Sequence, residues 1–374
     1  FNTLIMYAVT LIAPPNSGLL KSKLVKSLCE AWKGKDYVYL ASDEAAEFLV
    51  PKIPGDRWVM WSKFQQLKID LVIQENKMRK KSILLADMDS TIIEQECIDE
   101  LASEIGIGER VKLITAEAMN GKLDFEEALI ERVSLLHGLP MKIIDKVLKE
   151  RITLMPGASV LLTTMKAHGC YTALVSGGFT MFTEKIAASL GFDENHANVL
   201  IKNRGKLTGK VQKPILGKLA KVKQLESIAR KLNLNEKQVL AVGDGANDLG
   251  MLHRAGTGVA LHAKPSVAEQ CDIRINFGDL TQVAGYTGAV GNQTRAIRVG
   301  GTGPSNPGTN TMDFVTIAVI VLPVASCVTS SESWQARSTV FGTNVNSFVG
   351  GVNVVPLGYM QVPLTNLTFD IKPL

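Results

Sequence analysis

Asp87-Met-Asp-Ser-Thr91 sets two carboxylates two residues apart, directly after the apolar run Ile83-Leu-Leu-Ala86. On an extended segment, residues i and i+2 point to the same side, so Asp87 and Asp89 share one direction. Paired acids repel unless a cation or a shared proton compensates. A second acidic turn, Gly243-Asp-Gly-Ala-Asn-Asp248, follows Val239-Leu-Ala-Val242, and its glycines allow a tight bend and close approach of backbone to a ligand. A third segment, Ser176-Gly-Gly178, follows Thr172-Ala-Leu-Val175. It offers a hydroxyl and free amides at a helix start, which together suit an anion. Lys221 could add positive charge to that anion, but spacing alone does not select it over Lys218 or Lys223. Taken singly, these features also read as a solvated acidic turn, a common glycine pair and a solvated lysine face. Together they specify more. Oxygen ligands from Asp87, Asp89 and Asp244 suit a hard cation such as Mg²⁺. Asn247 and Asp248 would stand behind those ligands or face a phosphate. Metal-assisted phosphoryl transfer needs this combination, because positioning and charge neutralisation do most of its catalysis.

Such groups converge only if their strands lie side by side. Ile83–Ala86, Thr172–Val175, Val239–Val242 and Gly258–Leu261 are continuous apolar runs, the signature of strands buried on both faces of a parallel sheet. Helical stretches separate them. Phe179, Phe182, Ile186 and Leu190 share one face, and Leu219, Val222, Leu225 and Ile228 share another. The expected fold is α/β, a doubly wound parallel sheet with ligands at the carboxyl ends of its strands. About 85 residues separate the first two strands, far more than a crossover helix needs, so residues 96–154 are expected to form an inserted helical cap. Residues 1–78 read as a small α+β domain. Strands are expected at Tyr7–Ala13 and Tyr37–Leu40, helices at Leu19–Trp32 and Asp43–Leu49, and an apolar stretch at Leu67–Gln74 before the basic linker Lys77–Lys81. The α/β core then spans 79–285. Beyond it the character changes, because residues 281–374 carry only seven charged side chains. Residues 286–374 read as a separate β-rich extension, with Phe314–Val328 as a buried strand pair.

Bulk properties exclude several roles. The net charge of +5 is dispersed, without a run of five basic residues, which argues against nucleic acid. Phe314–Val328 is short for a membrane span and contains Pro323. The five cysteines show no metal or disulfide spacing, so a reducing, cytoplasmic setting is expected. The five histidines pair with no nucleophile and read as structural. The chain opens on Phe1 without a signal-peptide pattern, and Met6 is the expected natural start. Asn292 and Asn366 match a glycosylation triplet that carries no meaning in the cytosol.

In this order the segments at Asp87, Ser176, Lys221 and Asp244 resemble the motifs of the haloacid dehalogenase superfamily, and within it they are similar to the phosphoserine phosphatase family. The resemblance covers about residues 6–285. It implies an enzyme of serine biosynthesis in which Asp87 attacks phosphorus and Asp89 protonates the leaving oxygen. It implies Mg²⁺ on Asp87, Asp244 and the backbone carbonyl of Asp89, and a phosphoryl group held by Ser176, the Gly177 amide and Lys221. Glu96 would take the substrate ammonium, Arg132 its carboxylate, and Met119 and Phe125 would wall the site. A zwitterionic substrate, phosphoserine, fits that pair. A homodimer is a compatible assembly. Three other readings stay open at this point: transfer of the phosphoryl group to another small alcohol, another phosphomonoester as substrate, and a binding or assembly role for the extension. A membrane-pumping ATPase does not fit, since it carries a lysine where Asp89 stands.

Overall fold

Ile83, Leu84, Leu85 and Ala86 are all buried, and so are Val239, Leu240, Ala241 and Val242, so neither strand could serve at a sheet edge facing water. The computed structural model describes residues 5–77, 79–119 and 122–286, together with two short strands at Ser338–Thr339 and Tyr359–Met360. Residues 1–293 form one compact unit and 294–374 a second. In the second unit, the two short strands pair antiparallel. The expected β-rich character of 286–374, the strand pair at Phe314–Val328 included, otherwise lies outside the described residues.

In the first unit, strands β1 (Tyr7–Ile12), β2 (Val38–Ala41), β3 (Ala45–Val50) and β4 (Asp70–Glu75) form an antiparallel sheet in the order β2-β3-β1-β4. Helices α1 (Ser22–Ala31) and α2 (Arg57–Gln66) accompany it. Sequence reading missed α2. It also assigned Asp43–Leu49 to a helix, and the structure makes this segment a strand. Ala45, Ala46, Phe48 and Val50 are buried there, and β3 pairs with β1 on one side and β2 on the other. Tertiary pairing overrides the local helix preference of Glu44-Ala-Ala-Glu47. Asp43, at φ +56°, turns the chain back between β2 and β3.

The main sheet is parallel and has six strands in the order β12-β11-β10-β5-β6-β7. Its members are β5 (Ile83–Ala86), β6 (Tyr171–Phe179), β7 (Glu194–Asn198), β10 (Val239–Gly243), β11 (Thr257–Leu261) and β12 (Ile273–Ile275). The four expected strands are all present. β7 and β12 escaped notice because one is half-polar and the other only three residues long. Strand order reverses at β5, which lies between β10 and β6, and such a switch point opens a crevice at the strand ends. The acidic segments at Asp87 and Asp244 follow β5 and β10, whereas Ser176-Gly-Gly178, expected at a helix start, lies in the last part of β6, which runs on to Phe179 before the next helix begins.

Between β5 and β6 lie α3 (Cys97–Ser103), α4 (Gly108–Met119), α5 (Phe125–Ser134) and α6 (Lys142–Glu150), then α7 (Ala158–Ala167). The helical insertion is therefore present as expected. A hairpin of β8 (Leu200–Asn203) and β9 (Lys206–Val211) bridges to it through Lys206 and Pro140. The hairpin was not anticipated. Helices α7, α8 (Thr180–Leu190) and α12 (Leu280–Tyr286) pack on one face of the main sheet, and α9 (Lys218–Lys231), α10 (Leu249–Arg254) and α11 (Pro265–Ala268) on the other. Leu219 was expected on the buried face of α9 but is 72% exposed, and that face is formed by Lys221, Leu225, Ile228 and Ala229. No helix among the described residues is long and apolar enough to cross a membrane.

Asp70 ties the small sheet to the large one. Buried at the start of β4, it accepts hydrogen bonds from the amides of Asn276, Phe277 and Gly278, at 2.8–3.0 Å, and from Gln65. Asp70→Ala strands those amides without partners. At about 1–3 kcal/mol for each buried group left unpaired, the expected loss of unfolding free energy is about 3 kcal/mol or more, readable from urea denaturation.

Candidate active site

The site begins where β5 ends. The amide of Asp87 donates to Val242 O at 3.0 Å, which extends the β5–β10 ladder by one residue and fixes Asp87 beside β10. Asp87 Oδ1 accepts from the Met88 amide at 2.8 Å and from Lys221 Nζ at 2.7 Å. Lys221 Nζ also donates to Asp248 Oδ1 at 2.6 Å. Lys221 and Asp248 are both 0% exposed. Among three lysines that spacing could not separate, burial selects this one.

The turn after β10 is shaped around Asp248, whose Oδ2 accepts from the amides of Asp244 and Gly245 at 3.2 and 3.0 Å. A Cβ on Gly243 would sit 2.5 Å from Asp248 Cγ, so only glycine leaves room for this closure. Asp244 Oδ1 accepts from Thr91 at 3.3 Å, whereas its Oδ2 is buried with no hydrogen-bond partner.

Asp89 points elsewhere. Its Oδ1 accepts from the Cys97 amide at 2.8 Å and its Oδ2 from Ser176 Oγ at 2.9 Å. Ser176 Oγ in turn accepts from the Gly178 amide at 2.7 Å. A Cβ on Gly178 would lie 2.6 Å from Asp89 Oδ2, and one on Gly177 would lie 2.6 Å from Phe125 Cζ. A side chain at either position would thus force Phe125 or Asp89 to move. Asn198, at the end of β7, holds the neighbouring loops by donating to Gly177 O and Leu216 O and accepting from the Leu216 amide.

The helical insertion supplies the opposite wall. One cavity is lined by Asp87, Asp89, Glu96, Phe125, Arg132, Gly177 and Asn247, among others. Glu96 accepts from Ser90 Oγ at 2.7 Å, and Ser90 holds φ +55°. Arg132 donates through Nε to Ala128 O and through Nη1 to Thr115 Oγ1, and Thr115 donates to Asp99. Asn247 Oδ1 is buried without a partner. Met119 closes α4, and its side chain lies outside the described residues. Ser90, Thr91, Asp99, Thr115 and Asn198 were not singled out from sequence. Ser90 and Thr91 lay inside a motif already noted, whereas the other three carry no local signal.

Negative charge dominates this interior. Burial, and then Asp248, push the Asp87 carboxyl well above its ordinary range, against the pull of Lys221. Burial and Asp248 raise Asp244 to about 7. Burial and Asp89 raise Glu96 to about 8. For Lys221, burial works to discharge the ammonium, but Asp248 and Asp87 outweigh it and hold the charge firmly. One ammonium does not balance this group of acids. Ligand oxygens of Asp87, Asp244 and Asp248 lie within 4.8 Å of one another, and Asp244 Oδ2 awaits a partner. An all-oxygen set of this kind fits a hard divalent cation. The Asp248 side chain thus joins the cluster, whereas that of Asp89 does not.

Removing Lys221 would leave two buried carboxylates facing each other. Lys221→Met is expected to lower the unfolding free energy by about 3–5 kcal/mol in chelator-treated protein, measured by urea titration.

Comparison with known proteins follows the same lines. The family model of haloacid dehalogenase-like hydrolases matches residues 84–253. A phosphoserine phosphatase of Methanocaldococcus jannaschii is 46% identical over 208 residues, covering 56% of this chain and 98% of its own length. Of two other phosphoserine phosphatases, the chain spans 64% and 65% of the length. Among solved structures, a haloacid dehalogenase family hydrolase from Salmonella enterica serovar Typhi aligns with TM-score 0.68 at 31% identity, over 75% of this chain and 98% of its own. A substrate-bound phosphoserine phosphatase aligns with TM-score 0.54 at 45% identity, over 55% of this chain and 98% of its own. By these likenesses and by the strand-end site that carries them, the chain belongs to the haloacid dehalogenase-like hydrolases and, within them, to the phosphoserine phosphatase family.

Proposed function

We propose that this protein hydrolyses O-phospho-L-serine to L-serine and phosphate through an aspartyl phosphate on Asp87. The observation that carries this reading is one cavity with two unlike walls. Asp87 and Asp89 stand on the sheet side, and Glu96 and Arg132 on the helical side. A phosphate goes to the first wall, and the ammonium and carboxylate of an amino acid go to the second. Family membership supports the same chemistry.

Asp87 Oδ1 is occupied by the Met88 amide and Lys221, which leaves Oδ2 to attack phosphorus. As that bond forms, the bond from phosphorus to the seryl oxygen breaks, and Asp89 gives its proton to the departing oxygen. Asp89 then takes a proton from water as the water oxygen attacks the aspartyl phosphate, which frees phosphate and restores Asp87. Ser176, bonded to Asp89, and the Gly177 amide receive phosphoryl oxygens, and Lys221 aims Asp87 and pulls toward its ionised form against the effect of burial. Asn247 has an unpaired buried oxygen at the same cavity. Mg²⁺, on Asp87, Asp244 and the carbonyl of Asp89 with Asp248 alongside, would neutralise charge on the phosphoryl group.

The domain reading that goes with this has an N-terminal domain at 1–78, a phosphatase core at 79–285 with its cap at 96–154, and a separate extension at 286–374. The separation of the four-stranded antiparallel sheet from the six-stranded parallel sheet supports it. Cys29, Cys97, Cys170 and Cys271 are free and buried, in keeping with a reducing cytoplasm.

Phosphate release from phosphoserine with Mg²⁺ tests the proposal. Asp87→Asn should abolish turnover, by about 10³-fold or more, while leaving the circular dichroism spectrum intact. Arg132→Ala should raise KM for phosphoserine at least about tenfold. An unchanged KM would point to a substrate without a carboxylate.

A further inference from the structure

Arg132 is almost fully buried, and no acid forms a direct ion pair with it among the described residues. Its ordering comes from elsewhere. Nε donates to Ala128 O at 3.1 Å, one turn back on α5. Nη1 donates to Thr115 Oγ1 at 3.0 Å, on α4. That hydroxyl has a single hydrogen, and it goes to Asp99 Oδ1 on α3 at 2.6 Å. Thr115, Asp99 and Arg132 are 4%, 8% and 5% exposed, so water does not compete for these bonds.

The direction of each bond matters. With its hydrogen committed to Asp99, the Thr115 oxygen can only accept, and a guanidinium can only donate. The two side chains therefore meet in one way. Two of the five N–H donors of the guanidinium are thereby spent on the protein, which leaves three for a ligand in the cavity that Arg132 lines. The hydroxyl also stands between a buried cation and a buried anion. Without it, Arg132 would be drawn onto Asp99, because attraction in a poorly solvated interior is strong and a carboxylate takes a guanidinium on two oxygens at once.

We propose that Thr115, anchored by Asp99, is a positioning residue that aims Arg132 and so sets selectivity for a substrate carboxylate. The inference rests on the phosphoserine reading given above. Thr115 touches no reacting atom, and its effect runs only through the arginine.

Steady-state kinetics of the full chain on two substrates test it. O-Phosphoserine carries phosphate, ammonium and carboxylate, whereas O-phosphoethanolamine lacks only the carboxylate. Thr115→Val keeps the shape and removes the hydroxyl. It should raise KM for phosphoserine about tenfold, leave kcat within about twofold, and move KM for phosphoethanolamine less than about twofold. Thr115→Ser, which restores the hydroxyl, should return KM for phosphoserine to the wild-type value. Thr115→Ala gives the same comparison where the valine variant does not fold. An equal shift on both substrates, or none on either, overturns the inference while wild-type activity on phosphoserine keeps the parent reading. A wild-type chain inactive on phosphoserine overturns both.

Discussion

Lys221 bears a positive charge where no solvent reaches it, and the fold tolerates this only because Asp87 and Asp248 stand 2.7 and 2.6 Å from its ammonium. Desolvating one ion is expensive, and desolvating three is tolerable only when geometry and further hydrogen bonds satisfy each of them. Here they do. The Met88 amide completes Asp87, and the Asp244 and Gly245 amides complete Asp248. The triad links the end of β5, the turn after β10 and helix α9 in one contact. It also leaves a net negative interior that a divalent cation suits.

The parallel sheet makes that contact possible. β5 sits between β10 and β6, so three segments scattered over about 160 residues emerge side by side at one rim. Glycine then sets how closely they approach. Gly243 leaves space for the Asp248 carboxylate, and Gly178 for that of Asp89. The two carboxylates of the first motif, adjacent in sequence, part company here. Asp87 turns to the lysine and the acidic cluster, and Asp89 to Ser176 and the Cys97 amide. One is held by charge and the other by neutral donors, a division that suits a nucleophile and a proton carrier.

The helical insertion supplies the opposite wall of the cavity, with Glu96, Phe125 and Arg132. Glu96 is steadied by Ser90, which belongs to the loop that carries Asp87 and Asp89, so the two walls of the cavity share a residue contact. Arg132 is steadied within the insertion by Thr115 and Asp99. The hairpin of β8 and β9 braces the same helices, and a Cβ on Gly209 would lie 3.1 Å from His137 Cβ.

The sequence by itself determined the apolar strands, the doubly wound class, the helical insertion and the acidic and glycine-rich strand ends. Each is a local pattern: continuous burial along β5 and β10, a helical period, or a residue type that a turn demands. Asp43–Leu49 shows the limit of such patterns, since its local preference is helical and only pairing with β1 makes it a strand. Leu219 shows it again, because helical spacing describes a face without saying which neighbour covers it. The choice of Lys221 among three lysines, the parting of Asp87 from Asp89, and the Thr115 and Asp99 support of Arg132 were decided by tertiary structure alone. The reason is physical. Burial and charge pairing are properties of the space around a side chain, and that space is assembled from segments far apart in the chain.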